Sequence, residues 1–197
     1  MKQIYFAVIF LLCGITAYSQ DILDFRMCDV YKGHVKSIIV TSPETMQFEA
    51  EFSFNGKIKY MKNLTYQVDY EWNSDEELRL NVRNSQELHF FYIYINEYRK
   101  DYYDYDIGEV NVKIWFRANG SLDRKEVTQS GNKMIATYFY HNESELYPYK
   151  IQNRVGTQTQ VIFVNVEECD SKGNATVFSQ TCNGITMRQK RKISYYK

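Results

Sequence analysis

The sequence predicts an all-β domain, an antiparallel hairpin meander that curves into an open sheet or an incomplete barrel-like roll. Three observations carry this. Turn signals, among them Asn55-Gly56, Asn119-Gly120, Gly131-Asn132 and Asn183-Gly184, recur about every 8 to 14 residues. The segments between them alternate apolar and polar residues or are rich in β-branched and aromatic side chains, as half-buried strands are. No segment sustains a helical period, so the elements form one run of strands.

The chain opens with a leader. Lys2 supplies a positive start, Ile4 to Ile15 an apolar stretch, and Ala17-Tyr18-Ser19 a small-x-small cleavage site before Gln20. The reading is a signal peptide over 1–19 and a single all-β domain over 20–197, in an exported protein that is periplasmic or extracellular. A lipid anchor at Cys13 is the rival, but Leu12 stands where a lipobox wants a small residue. The apolar stretch is short for a bilayer span, and no later stretch reads as a transmembrane segment.

After a lead-in over 20–32, Val35 to Val40 is the first clear strand, stopped by Ser42-Pro43. Phe48 to Phe54 alternates, with Phe48, Ala50, Phe52 and Phe54 on one face, and Asn55-Gly56 turns it into Gly56 to Tyr60. Leu64 to Trp72, Leu78 to Val82 and the very apolar Leu88 to Tyr98 continue the meander. From Tyr98 to Asp106 tyrosine mixes with charge and the rhythm breaks. Val110 to Phe116, Leu122 to Val127, Met134 to Tyr140, Val161 to Val166, Ala175 to Thr181 and Ile185 to Tyr196 complete the strands. Between Val161 to Val166 and Ala175 to Thr181, Asp170 can bond forward to backbone N–H groups and Gly173 can take a positive φ, which makes a three- to five-residue hairpin loop.

That hairpin is one of a set. Variants of aromatic-x-aromatic-polar-x-x-small-x-aliphatic appear as Tyr138-Phe139-Tyr140-His141-Asn142-Glu143-Ser144-Glu145-Leu146, Ile114-Trp115-Phe116-Arg117-Ala118-Asn119-Gly120-Ser121-Leu122 and Tyr70-Glu71-Trp72-Asn73-Ser74-Asp75-Glu76-Glu77-Leu78. Shorter versions begin at Phe52 and Tyr103. A period of about 20 to 30 residues marks a row of hairpins that bury a shared face together. These units resemble the tyrosine–aspartate (YD, or Rhs-type) repeat, core Tyr-x-Tyr-Asp-x-x-Gly-x-Leu, in degenerate copies. Glu76 and Ser144 stand at the glycine position in two of them. The resemblance implies a small secreted or cell-surface bacterial β-structure whose motif residues build turns and core and carry no catalysis. The repeat aromatics Phe52, Phe54, Tyr70, Trp72, Trp115, Tyr138 and Tyr140 are expected to be buried on one face.

Little in the sequence points to catalytic chemistry. Lys plus Arg and Asp plus Glu both number 24, so nothing attracts nucleic acid or an anionic membrane. Of the cysteines beyond the leader, Cys169 and Cys182 sit at opposite ends of a hairpin arm, about 20 Å apart, against a disulfide reach of about 7 Å. Pairing of Cys28 with Cys182 is geometrically open, and the favoured reading is three part-buried thiols. No Cys-x-x-Cys or metal-ligand spacing is present, so no metal or cofactor is expected. His34, His89 and His141 belong to no nucleophile or zinc motif. Asp101, Asp104, Asp106 and Glu109 resemble half of a calcium loop but fall short of the six to eight oxygens a site needs. The sequons at Asn63, Asn142 and Asn174 read as turn residues.

The function that follows is a non-enzymatic structural or binding module of the cell envelope, with an envelope protein or a glycan as partner. The alternative is a hydrolase-like enzyme acting on an envelope or dietary polymer through Glu167/Glu168 or Asp104/Asp106. Glu167 and Glu168 are strand neighbours and point to opposite faces, which weighs against that pair. Binding is expected in the segment that breaks the rhythm, at Tyr92, Tyr94, Tyr98, Arg99, Tyr102, Tyr103 and Tyr105, because aromatic and Arg side chains are enriched at interface hot spots. If Ile93 and Ile95 face the core, period two exposes Tyr92 and Tyr94.

Overall fold

The structure is a computed structural model that describes residues 31–42, 46–63, 66–84 and 87–197. The leader with Cys13, most of the lead-in and Cys28 lie outside the described residues. Strands and turns make up all that is described.

The strands run in chain order: β1 (Val35–Thr41), β2 (Met46–Phe52), β3 (Ile58–Lys62), β4 (Tyr66–Trp72), β5 (Glu77–Asn84), β6 (Leu88–Tyr98), β7 (Tyr102–Ile107), β8 (Val110–Phe116), β9 (Leu122–Gln129), β10 (Asn132–Phe139), β11 (Lys150–Val155), β12 (Gln158–Cys169), β13 (Ala175–Cys182) and β14 (Ile185–Tyr195). Each pairs antiparallel with its sequence neighbours, and β1 pairs with β14, so the meander closes into a barrel. At the seam Ile38 lies opposite Ile193 and Val40 opposite Arg191. Closure leaves no unpaired sheet edge.

Residues opposite one another in an antiparallel pair project to the same side. The rows Met61–Val68–Val82 and Ile93–Ile107 therefore point inward together. So do Val112–Val127–Met134 and Tyr138–Ile151–Ile162. The inward side is a mainly apolar core that fills the barrel, with Phe52, Ile58, Leu78, Leu80 and Ile114 among its fully buried members, and it also takes in Lys125, Asn153, Gln180 and Gln189. Each such apolar side chain contributes about 1.5–3 kcal/mol of burial. The outer wall carries most of the charges, while Lys125 and Arg191 project inward opposite Ile114 and Val40. Lys59 meets Glu51, Arg79 meets Glu71, Lys113 meets Asp104, and Arg188 meets Glu167.

Two strands have no counterpart in the sequence reading. β7 occupies the stretch read as a break in rhythm. Its charges, Asp104 and Asp106, face outward while Tyr103, Tyr105 and Ile107 face the core. β11 offers only Ile151 as a buried apolar residue, beside the buried, inward Asn153, and its last residue Val155 is exposed.

The two barrel ends differ. Tight turns such as those at Gly131 and Gly184 cap one end. The other end carries 53–57, 73–76, 99–101, 117–121, 140–149 and 170–174. Three of these loops share one hydrogen-bond format. Ser53 N donates to Lys57 O at 2.8 Å and Gly56 N to Ser53 O at 2.9 Å; Arg117 with Ser121 and Gly120, and Asp170 with Asn174 and Gly173, repeat it. The glycine adopts φ of 84°, 85° and 83° in turn, the left-handed position of a three-residue hairpin loop. These loops are repeat units of the sequence. Most of the units recur because every second turn of a meander returns to the same end.

The expected burial of the repeat aromatics divides. Phe52, Tyr70 and Tyr138 are buried in the core, and Trp72 and Tyr140 pack against it. Trp115 instead lies on the outer wall, between Tyr102 and Arg124, because its strand neighbour Ile114 takes the inward position. Phe54 belongs to the loop rather than to β2, and it is 59% exposed. The side chain of Phe48 lies outside the described residues.

Candidate functional site

The loop-bearing end holds two adjoining cavities of about 600 and 540 Å³. The first lies across the barrel mouth. Tyr31, His34 and Phe54 line one side, and Tyr98, Asp101 and Phe116 line the other. The second runs from Lys57 and Trp72 to Ile95 and Glu97. Asn55, Gly56 and Tyr98 border both, so the two form one cleft with a ridge between its halves.

Local geometry sets these side chains. The β2–β3 loop lifts Phe54 out of the sheet. There the His34 ring stacks on it at 4.9 Å, and Tyr196 meets it edge-on at 5.5 Å. The register shift between Ile95 and Glu97 in the β6–β7 pair interrupts the alternation just before Tyr98. Bulges at barrel rims commonly re-aim side chains in this way. Tyr98 ends 58% exposed. Trp72 is anchored by its indole N–H, which donates to the Ile58 carbonyl at 3.3 Å, and Lys57 lies 4.5 Å over its ring.

Most charges of the cleft are paired, and the lining residues Lys100 and Glu76 add one of each sign. Lys57 Nζ lies 2.9 Å from Asp75 Oδ1, and that hydrogen bond and charge hold the Asp75 carboxyl below its usual range. Arg99 stands 3.2 Å from Glu97 and 4.0 Å from Asp101. Arg117 spends its guanidinium on the carbonyl oxygens of Asn142 and Glu145, at 3.1 and 3.2 Å.

The structure divides the binding residues expected from the sequence. Tyr98 lines the cleft, and Arg99 pairs with two residues of its rim. Tyr92 and Tyr94 lie on the outer wall of β6, stacked at 6.2 Å and exposed, while Ile93 faces the core. They continue a stripe with Leu88 and Phe90. Tyr102, Tyr103 and Tyr105 are corrected. Tyr103 and Tyr105 stack at 5.9 Å inside the core, at 0% and 1% exposure. Tyr102 is buried against Trp115 and points its hydroxyl at Asp104. No strand was read there from the sequence, and one with period two forms, so alternate tyrosines enter the barrel.

The candidate carboxylates of the enzymatic alternative are placed as well. Glu167 is bound by Arg188 at 2.7 Å on the wall. Asp104 and Asp106 each accept a hydrogen bond from Asn111 Nδ2, at 2.7 and 2.9 Å. None of these groups lines the cleft. Among the described residues no group of His, Cys, Asp and Glu is arranged to hold a metal. Cys169, the last residue of β12, and Cys182, the last of β13, are free thiols at opposite ends of that hairpin.

No family model matches this chain, and no curated protein matches it. Among solved structures it is similar to a porin-like protein from Bacteroides vulgatus. The identity is 15%, the TM-score is 0.51, and the match covers 84% of this chain and 99% of that one. The likeness is one of fold.

The sequence reading missed Phe54, Asn55, Trp72 and Asp75 as cleft residues. A signal for Phe54 was present. A three-residue loop closed by Gly56 removes Phe54 from the strand and strands a large aromatic in a turn. Nothing local shows that this turn faces Tyr98 across the barrel mouth.

Proposed function

We propose that this chain is an exported, non-enzymatic binding barrel of the cell envelope that recognises its partner at the loop-bearing end. The observation that carries the reading is the inversion of wall and lumen. Membrane-spanning barrels turn an apolar band outward and keep a polar interior. Here the interior is packed mainly with apolar side chains, which enclose the few inward polar ones such as Lys125, Gln180 and Gln189, and the wall carries ion pairs. A filled lumen offers no route for a solute, and a charged wall is costly in lipid. That leaves the surface for function, and the cleft is where concavity, exposed aromatics and polar groups meet. The leader at Met1 to Ser19 supports export.

Two measurements test this. Added to a planar phospholipid bilayer, the mature protein is expected to give no conductance steps; stepwise conductance would overturn the reading. The photo-reactive substitutions Tyr98→p-benzoyl-phenylalanine and Thr159→p-benzoyl-phenylalanine are then compared in envelope extracts. Cross-links are expected from position 98 in the cleft and not from position 159 on the far part of the wall. The reverse pattern would refute recognition at the loop-bearing end.

A further inference from the structure

We infer that the cleft takes a neutral oligosaccharide, with the exposed rings of Phe54 and Tyr98 as stacking surfaces on opposite sides of its first half; this rests on the cleft being the recognition surface. Three observations select that chemistry.

The first is the pair of aromatics. Phe54 and Tyr98 are 59% and 58% exposed, although each is a large apolar group whose burial favours the folded state. Both border the first half of the cleft, and Tyr98 and Asn55 border the second half too. His34 backs the Phe54 ring in parallel at 4.9 Å, which fixes the ring plane before any ligand arrives. A sugar ring presents a face of C–H groups to such a plane and its hydroxyls to the sides. Two such rings facing across one half can take a sugar between them, and the adjoining half has room for the next sugar of a chain.

The second is charge. Lys57 is held by Asp75, Arg117 by backbone carbonyls, and Glu97 and Asp101 share Arg99. Lys100 on the first half and Glu76 on the second add one charge of each sign, so neither an anionic nor a cationic ligand meets an excess of opposite charge. A neutral polyol disturbs none of these pairs, and its hydroxyls both donate and accept beside Asn55, Asn96 and Asp75.

The third is closure. An extended peptide binds a sheet protein most simply by adding a strand to a free edge. β1 pairs with β14, so this barrel has no such edge to offer.

The experiment is a titration of the mature protein with soluble hexasaccharides of β-1,4-glucan, β-1,3-glucan, β-1,4-xylan and α-1,6-mannan. Hexamers of polygalacturonic acid serve as the anionic comparison. The readouts are isothermal calorimetry and tryptophan fluorescence, because Trp72 lines the cleft. Saturable binding of a neutral hexamer is expected. Phe54→Ala and Tyr98→Ala should each weaken it by about tenfold or more, with melting temperatures unchanged. Leu88→Ala on the β6 wall should leave the affinity unchanged. The inference is overturned if no neutral hexamer binds, if only the anionic hexamer binds and salt abolishes it, or if binding survives both cleft variants. Loss of the glycan alone, with position 98 still cross-linking an envelope protein, would retire this inference and keep the binding barrel. Absence of any cross-link at position 98 would retire both.

Discussion

The Asn174 side chain grips both backbone groups of Lys32, accepting from its N–H at 2.7 Å and donating to its carbonyl at 2.9 Å. A carboxamide carries donor and acceptor side by side, so it imitates a stretch of strand backbone. It thereby ties the segment before β1 to the β12–β13 loop and completes the first wall of the cleft. Asn174 is fully buried and also donates to the Tyr195 hydroxyl at 2.7 Å. Asn174→Ala should therefore cost about 2–3 kcal/mol, because the partners keep their desolvation without their bonds. Urea unfolding measures it, and Asn174→Asp, which lacks the donor, should recover little.

Tyr98 and Tyr103 were grouped by sequence and are separated by structure. Tyr103 is wholly enclosed and stacks against Tyr105 and Phe116. Tyr103→Ala should cost about 3–5 kcal/mol. Tyr98→Ala should stay within about 0.5 kcal/mol, as exposed positions do. Midpoints from the same urea series check both. The contrast also dictates that cleft function be probed through Tyr98 alone, since a multiple variant including Tyr103 would report unfolding.

How far the sequence was legible follows from where each signal acts. Leu88 to Tyr98 and Val110 to Phe116 were bounded correctly because period-two alternation is local and strong. The Asn55-Gly56 and Asn119-Gly120 loops were readable because only a positive φ closes them, and glycine supplies it. β7 was hidden because Asp104 and Asp106 made a wall strand look like a polar loop. Closure was hidden because the pairing of Val35 with Tyr195 joins the two ends of the sequence, and no local pattern encodes it. The cleft was half legible for the same reason. Tyr98 announced itself as an aromatic at a break in pattern, while Phe54 and Trp72 reach it only through the curvature of the barrel.

Gln180 marks a place where the core tolerates a polar group. It faces inward between Val164 and Met187, and its Oε1 is buried with no hydrogen-bond partner. An unsatisfied buried acceptor costs about 1–3 kcal/mol. Gln180→Leu keeps the volume and removes the acceptor, so it should stabilise the barrel by about 1 kcal/mol. A rise in melting temperature is the expected readout, and a fall would show that the amide contributes more than it costs.

Asp170 gives the fold a defined acid limit. Burial alone would raise its pKa, but the Tyr195 hydroxyl and the backbone N–H groups of Asn174 and Lys172 outweigh burial and hold the carboxyl below its usual range. Burial, helped by the same contact, pushes Tyr195 up to about 12. A carboxyl whose pKa is lower folded than unfolded contributes its full stabilisation above the unfolded value, about 3.9 for Asp, and loses it as pH falls through the folded value. Asp170→Asn keeps an acceptor for the loop N–H groups but removes the charge, so at neutral pH it should cost about 1–2 kcal/mol. The gap between wild type and variant should hold from about pH 7 to pH 5 and close as the pH drops below about 4. Urea midpoints across that range measure it. A gap that persisted undiminished to about pH 2.5 would mean that this carboxylate's protonation is not linked to folding.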